Sequence, residues 1–176
     1  MLDVTQTAMP GIGLSIPQLI ERNAEPYVAY RIGGKMSELP QFAPPYIDRT
    51  QEWLRTHGVE PGAAAFFRYH SFNHDGTVEL EVGRTTPERV AAEDGIVSGE
   101  LPAGRYAFAT YTGPYDRLYD AFCMLNGWIS ARELVADRKQ GGAGVEIACQ
   151  LEIYRVGPMD VSDPAQMQTD ILIKLT

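Results

Sequence analysis

Gly104-Arg105-Tyr106-Ala107-Phe108-Ala109-Thr110-Tyr111 is a β-rich run closed by Gly113-Pro114, and beyond it Leu118, Phe122, Leu125 and Ile129 fall at i, i+4, i+7 and i+11. The stretch from Tyr115 to about Val135 therefore reads as an amphipathic helix laid on a strand. After the glycines of 141–144, Val145–Val156 reads as a strand. A connection at 157–169, with Pro158 and Pro164 and too long for a tight hairpin, leads to a last strand at Asp170–Leu175. The same order appears upstream of Gly104. Tyr27–Ile32 is a strand ending at Gly33-Gly34. A helix follows, with Pro44-Pro45 in its first turn, Tyr46, Ile47, Trp53 and Leu54 near helical spacing, and His57-Gly58 at its end. Then come the apolar run Ala63–Tyr69, a turn at Asn73–Gly76 and the alternating strand Thr77–Val82, whose Val78, Leu80 and Val82 face a core while Glu79 and Glu81 face water.

Two strand–helix–strand–strand units, near 18–90 and 98–176, predict an α+β domain: duplicated units with pseudo-twofold symmetry and an antiparallel sheet around a central cleft. Residues 1–17, punctuated by Pro10, Gly11, Gly13 and Pro17, read as an N-terminal arm on a single domain spanning 18–176.

Composition bounds what such a domain does. At 176 residues, with 44% hydrophobic and 22% charged residues, it buries a core without disulfides or metal. No apolar run approaches the ~20 residues of a membrane span, and the first charge is Asp3 rather than a basic signal start, so a soluble cytoplasmic protein is expected. Fifteen Lys and Arg against 23 Asp and Glu leave a net charge of −8, with no basic cluster larger than Arg138-Lys139. Direct nucleic-acid binding, which draws its affinity from phosphate neutralisation, is not expected. Cys123 and Cys149 lack redox or zinc spacing and read as two buried thiols. His70 and His74 flank a turn rather than a helix face, so no metal site is assigned. No dinucleotide, P-loop or nucleophile-elbow motif occurs, and no cofactor is expected.

The residue that stands out is Glu152, in Cys149-Gln150-Leu151-Glu152-Ile153-Tyr154. Strand alternation puts Gln150, Glu152 and Tyr154 on one face and Leu151 and Ile153 on the other. If the Leu151/Ile153 face packs on the helices, the Glu152/Tyr154 face looks into the space between the halves. Glu152 then either sits on a solvated face or in a structural ion pair, or neutralises a cationic ligand or acts as acid or base. Nine tyrosines among 17 aromatic residues favour a ligand box, since tyrosine combines apolar area with a hydroxyl that needs a partner. The walls assigned are Phe67, Tyr69, Tyr111, Trp128 and Tyr154, with Phe67-Arg68-Tyr69 holding in the first half the place of Glu152-Ile153-Tyr154 in the second.

Tyr111-Thr112-Gly113-Pro114-Tyr115, the amphipathic helix with Leu118 and Trp128, Leu151-Glu152-Ile153-Tyr154, and Thr169-Asp170-Ile171-Leu172-Ile173 after a Pro-containing loop together resemble the GyrI-like family. Its small-molecule-binding domains also serve as effector domains of AraC-type and MerR-type multidrug-responsive regulators. The resemblance covers about residues 17–176. It implies an aromatic-lined cleft between the halves with a buried glutamate at Glu152, which in the regulators pairs with lipophilic cations. In some stand-alone members the glutamate takes part in hydrolysing cyclopropane-bearing compounds. The histidine frequent before Gly-Pro-Tyr in the family is replaced here by Tyr111-Thr112, and residues 1–17 are too short for a helix-turn-helix. The expectation is a stand-alone domain that binds a small lipophilic, aromatic molecule, cationic where Glu152 is its partner. The alternatives are a hydrolase using Glu152, or a protein-interaction role of the gyrase-inhibitor kind.

Overall fold

The computed structural model describes residues 13–176; residues 1–12, most of the expected N-terminal arm, lie outside the described residues. Ten strands form one sheet in which every pairing is antiparallel: β1 (Gly13–Leu14), β2 (Gln18–Arg22), β3 (Glu25–Lys35), β4 (Ala65–Asn73), β5 (Thr77–Thr85), β6 (Val97–Leu101), β7 (Gly104–Thr112), β8 (Arg138–Gln140), β9 (Gly144–Val156) and β10 (Gln168–Lys174). The helices are a single turn, α1 (Leu39–Phe42), then α2 (Pro45–Thr56) and α3 (Leu118–Ala131). The central six strands run β7-β10-β9-β4-β5-β3, so each half of the chain supplies three neighbouring strands, and β4 meets β9 in the middle. Four strands are absent from the sequence reading: the short β1 and β8, which pair with β7 and β9, and two longer ones at the edges, β2 and β6. β2 pairs with β7, and β6 pairs with β3.

Those edges close on each other. Only Pro102 and Ala103 separate β6, at one end of the strand order, from β7 near the other, and only Asn23 and Ala24 separate β2 from β3. Such short links force the sheet to curl, and its inner face fills with Tyr27, Phe66, Leu101, Tyr106, Cys149, Leu151, Ile153 and Leu172. Leu151 and Ile153 thus pack inside the curl rather than on the helices, opposite to the expectation. The helices cover the other face, α2 through Trp53 and Leu54 and α3 through Leu118, Phe122, Leu125 and Ile129. Glu152 belongs to that helix-bearing face, between a cluster gathered on α3 and one reaching Phe67 and Tyr69 beside Phe42 and Ile47.

Helix ends follow from hydrogen bonding. α2 closes where Val59 N donates to Leu54 O and Gly58, at φ 64°, donates to Arg55 O, a Schellman end with glycine in the left-handed position. The same pair of bonds ends α3: Leu134 N to Ile129 O and Glu133 N to Ser130 O, with Glu133 at φ 56°. The helix therefore stops at Ala131, short of Val135, at a residue type that carries no stop signal. Cys123 on α3 is exposed while Cys149 is buried, so only one of the two thiols is in the core.

Gly83 marks a close approach of strands within the curl. A Cβ there would lie 2.5 Å from Val28 O, 2.7 Å from Ala29 Cβ and 2.9 Å from Phe66 Cζ. Gly83→Ala is expected to lower stability by about 1–3 kcal/mol through overpacking, read from urea unfolding; an unchanged midpoint would mean that the strands there separate without cost.

Candidate functional site

Alternation along β9 directs Glu152 and Tyr154 to the helix-bearing face, and the register sets Phe67 of β4 directly opposite Glu152, with Ile171 of β10 on its other side. Tyr69, two residues along β4, reaches the carboxylate from the side. Its hydroxyl donates to Glu152 Oε1 at 2.9 Å, and the Tyr154 hydroxyl donates to Oε2 at 2.6 Å. Each oxygen of a nearly inaccessible carboxylate (6% exposed) thus receives one phenolic hydrogen bond, and neither comes from a cation. Among the described residues, no ion pair involves Glu152.

The electrostatics follow. Burial pushes the Glu152 carboxyl above its ordinary value; the hydrogen bonds from Tyr154 and Tyr69 pull it back without cancelling the shift. Burial, and then the charge of Glu152, hold both phenols well above the usual tyrosine range, so they stay protonated donors. Among the described residues the Glu152 carboxylate has no cationic partner, and two phenolic donors are fixed on it.

Aromatic rings surround it. Phe67 meets Tyr154 edge-on with centroids 5.0 Å apart, and Tyr154 meets Tyr115 edge-on at 5.4 Å. Tyr115 begins the short 3-10 turn before α3 and is 37% exposed, the outermost ring of the group. The residues assigned from sequence therefore divide. Glu152, Tyr154, Tyr69 and Phe67 are brought together. Tyr111 lies in the α3 cluster with its hydroxyl on Pro114 O at 3.0 Å, and Trp128 packs on that cluster under the Arg132 guanidinium at 5.0 Å. Both border Tyr154 through the shared cluster and neither hydrogen-bonds Glu152. Tyr115 was missed as a wall. Its signal was the Gly113-Pro114 break, which ends β7 and starts the turn that projects it.

A separate cavity of about 690 Å³ opens elsewhere, lined by residues of β3, β4, β5, β9 and the β8–β9 turn, and does not include Glu152. A buried charge without a counter-charge is the stronger mark of function, so Glu152 carries the functional reading. Among the described residues no group of three or more His, Cys, Asp or Glu is placed to hold a metal ion, and no helix is long and apolar enough to cross a membrane.

Comparison with known proteins bears on the fold. The chain is similar in structure to the EcmrR C-terminal domain (TM-score 0.70, 20% identity, covering 92% of this chain and 97% of that one). It spans 57% of the EcmrR chain found in a DNA complex. It is also similar to SAV2435 bound to tetraphenylphosphonium (TM-score 0.59, 12% identity, 92% and 94% covered) and to a hydrolase from Listeria innocua (TM-score 0.53, 14% identity, 91% of each). At these identities the likeness is one of fold. No curated protein matches the chain. The model of the GyrI-like small molecule binding domain matches residues 17–176, nearly the whole chain, and the protein therefore belongs to the GyrI-like family.

Proposed function

We propose that the protein binds a lipophilic, aromatic cation against Glu152, between α2 and α3, and acts by sequestering or sensing it. The observation that carries this reading is a buried carboxylate held by two tyrosine hydroxyls with no cationic partner. A ligand cation supplies the missing charge, and Tyr154, Tyr115 and Phe67 offer ring faces and edges that suit flat or branched aromatic groups. Tyr115, the most exposed of the rings, is the one that yields to admit it. In the same reading the two halves are related by a pseudo-twofold axis passing between Phe67 and Glu152, which face each other across the β4–β9 pair. The protein acts in the cytoplasm without touching nucleic acid itself.

The pH dependence tests the charge pairing. The Glu152 carboxyl lies above its ordinary value in the free protein, and a bound cation lowers it, because an opposite charge favours the ionised form. Between the two values binding expels up to one proton. Affinity therefore rises as pH is raised through that window, by at most about tenfold per unit, and levels off above it. Calorimetry of tetraphenylphosphonium binding in two buffers of different ionisation enthalpy is expected to reveal the released proton. Binding with no proton exchange and no pH dependence would separate the ligand from Glu152.

The raised carboxyl also supports a second reading, a hydrolase in which Glu152 protonates a leaving group or activates water with Tyr154 beside it. Turnover of a strained electrophile that is lost in Glu152→Gln while binding persists would favour this second function.

A further inference from the structure

The inner face of the curled sheet carries a second set of buried charges, on the opposite side from Glu152. Glu81, expected to face water, is 4% exposed. The Tyr27 hydroxyl donates to its Oε2 at 2.5 Å, and Arg68 donates to that same hydroxyl at 2.7 Å while lying 3.9 Å from the carboxylate. His70 Nε2 lies 2.9 Å from Glu81 Oε2. Burial pushes the Glu81 carboxyl up, but His70, Tyr27 and Arg68 together outweigh it and hold the group below its ordinary value.

His70 occupies a bulge: the register of β4 slips between Tyr69 and Ser71 against both β5 and β9. Bulges re-aim side chains, and this one leaves His70 both on Glu81 and on the wall of the 690 Å³ cavity. The same wall holds Ser71, Arg31, Glu79 and Glu146. Arg31 is neutralised by Glu79, to which it donates at 3.3 and 2.9 Å. Arg68 balances Glu81. Glu146 has no ion pair among the described residues, although Lys139 is its cross-strand neighbour, so the cavity is left with one uncompensated negative charge. The chain's net charge of −8 adds a field that draws cations toward it.

We infer that this cavity is a second ligand site, for a small hydrophilic cation bearing amine or guanidinium N–H donors, with Glu146 as its charge partner and His70 as a contact on its wall. The assignment is independent of the Glu152 reading, because the sheet separates the two sites and this one is polar where the other is aromatic.

Agmatine and putrescine, titrated into the full chain by calorimetry at physiological ionic strength, are expected to bind the wild type and Glu152→Gln equally. Glu146→Gln should weaken them about tenfold, equivalent to about 1.4 kcal/mol, and His70→Phe should weaken them as well. Because His70→Phe also strips a partner from Glu81, a second readout uses the wild type alone: agmatine should shift the imidazole resonances of His70 and leave the Tyr154 ring unmoved. No heat and no His70 shift at millimolar agmatine would overturn the assignment. So would an affinity untouched by Glu146→Gln, or one lost in Glu152→Gln, which would move the amine to the aromatic site.

Discussion

Glu152→Gln is expected to weaken tetraphenylphosphonium by about 30-fold or more while leaving a neutral analogue such as triphenylphosphine oxide within about threefold of wild type. The magnitude comes from truncating one partner of a desolvated charge pair, which costs about 2–5 kcal/mol of binding, at about 1.4 kcal/mol per decade. Glutamine keeps the shape and an oxygen for one tyrosine hydroxyl, so aromatic contacts with Tyr154 and Phe67 survive and only the charge contact is lost. The apo protein should be as stable as wild type at neutral pH, or more so. A carboxyl whose folded value is raised contributes stability below the unfolded carboxylate range and loses it as pH rises through the folded value, so at neutral pH the wild type carries a cost that glutamine does not. Equal affinity of the variant for both ligands would show that the glutamate does not pair with the cation.

The opposite sign is expected at Glu81. Glu81→Gln should destabilise the protein by about 3 kcal/mol or more, since removing one member of a buried charge cluster strands the others. For a chain of this size that corresponds to a fall in Tm of roughly 6–12 °C. Arg68 and His70 would be left facing a neutral amide, and the Tyr27 hydroxyl would lose its charged acceptor. The folded value of Glu81 is depressed, so its stabilisation is present above the unfolded carboxylate range and lost as pH falls through the folded value. Urea unfolding at neutral and acidic pH should therefore show the gap between wild type and Glu81→Gln closing on acidification. A gap that is absent at neutral pH would reduce the cluster to a solvated ion pair.

The two glutamates mark what could be read from the chain and what could not. Glu152 was legible because Leu151 and Ile153 alternate with it, and because tyrosine and phenylalanine occupy the neighbouring strand at matching positions. Glu81 alternates just as regularly with Val78, Leu80 and Val82, and the pattern made it a surface residue. That inference assumes a sheet with one wet face. The assumption failed because the sheet curls, and curling is set by two links of two residues each, not by the alternation within β5. The strands that impose it, Gln18-Leu19-Ile20-Glu21-Arg22 and Val97-Ser98-Gly99-Glu100-Leu101, are short and rich in polar residues or glycine, and carry little β signal. Helix ends tell the same story: Gly58 announced its left-handed position, whereas Glu133 adopts one because the bonds to Ile129 and Ser130 require it. The walls were partly legible, since periodicity identifies a face but not which of its aromatic rings meet across strands. Tyr111 and Trp128 went to the helix core, and Tyr115 took the outer position.

The reciprocal edge strands carry a consequence for how the chain holds together when cut. β2 opens the first half yet pairs with β7 of the second, and β6 opens the second half yet pairs with β3 of the first. The protein is therefore the single-chain counterpart of an arm-exchanged dimer. A protease that nicks the segment at 86–96 leaves two pieces, each clasping the other's outer strand, and what remains is a noncovalent complex whose halves complete one another rather than two domains free to drift apart.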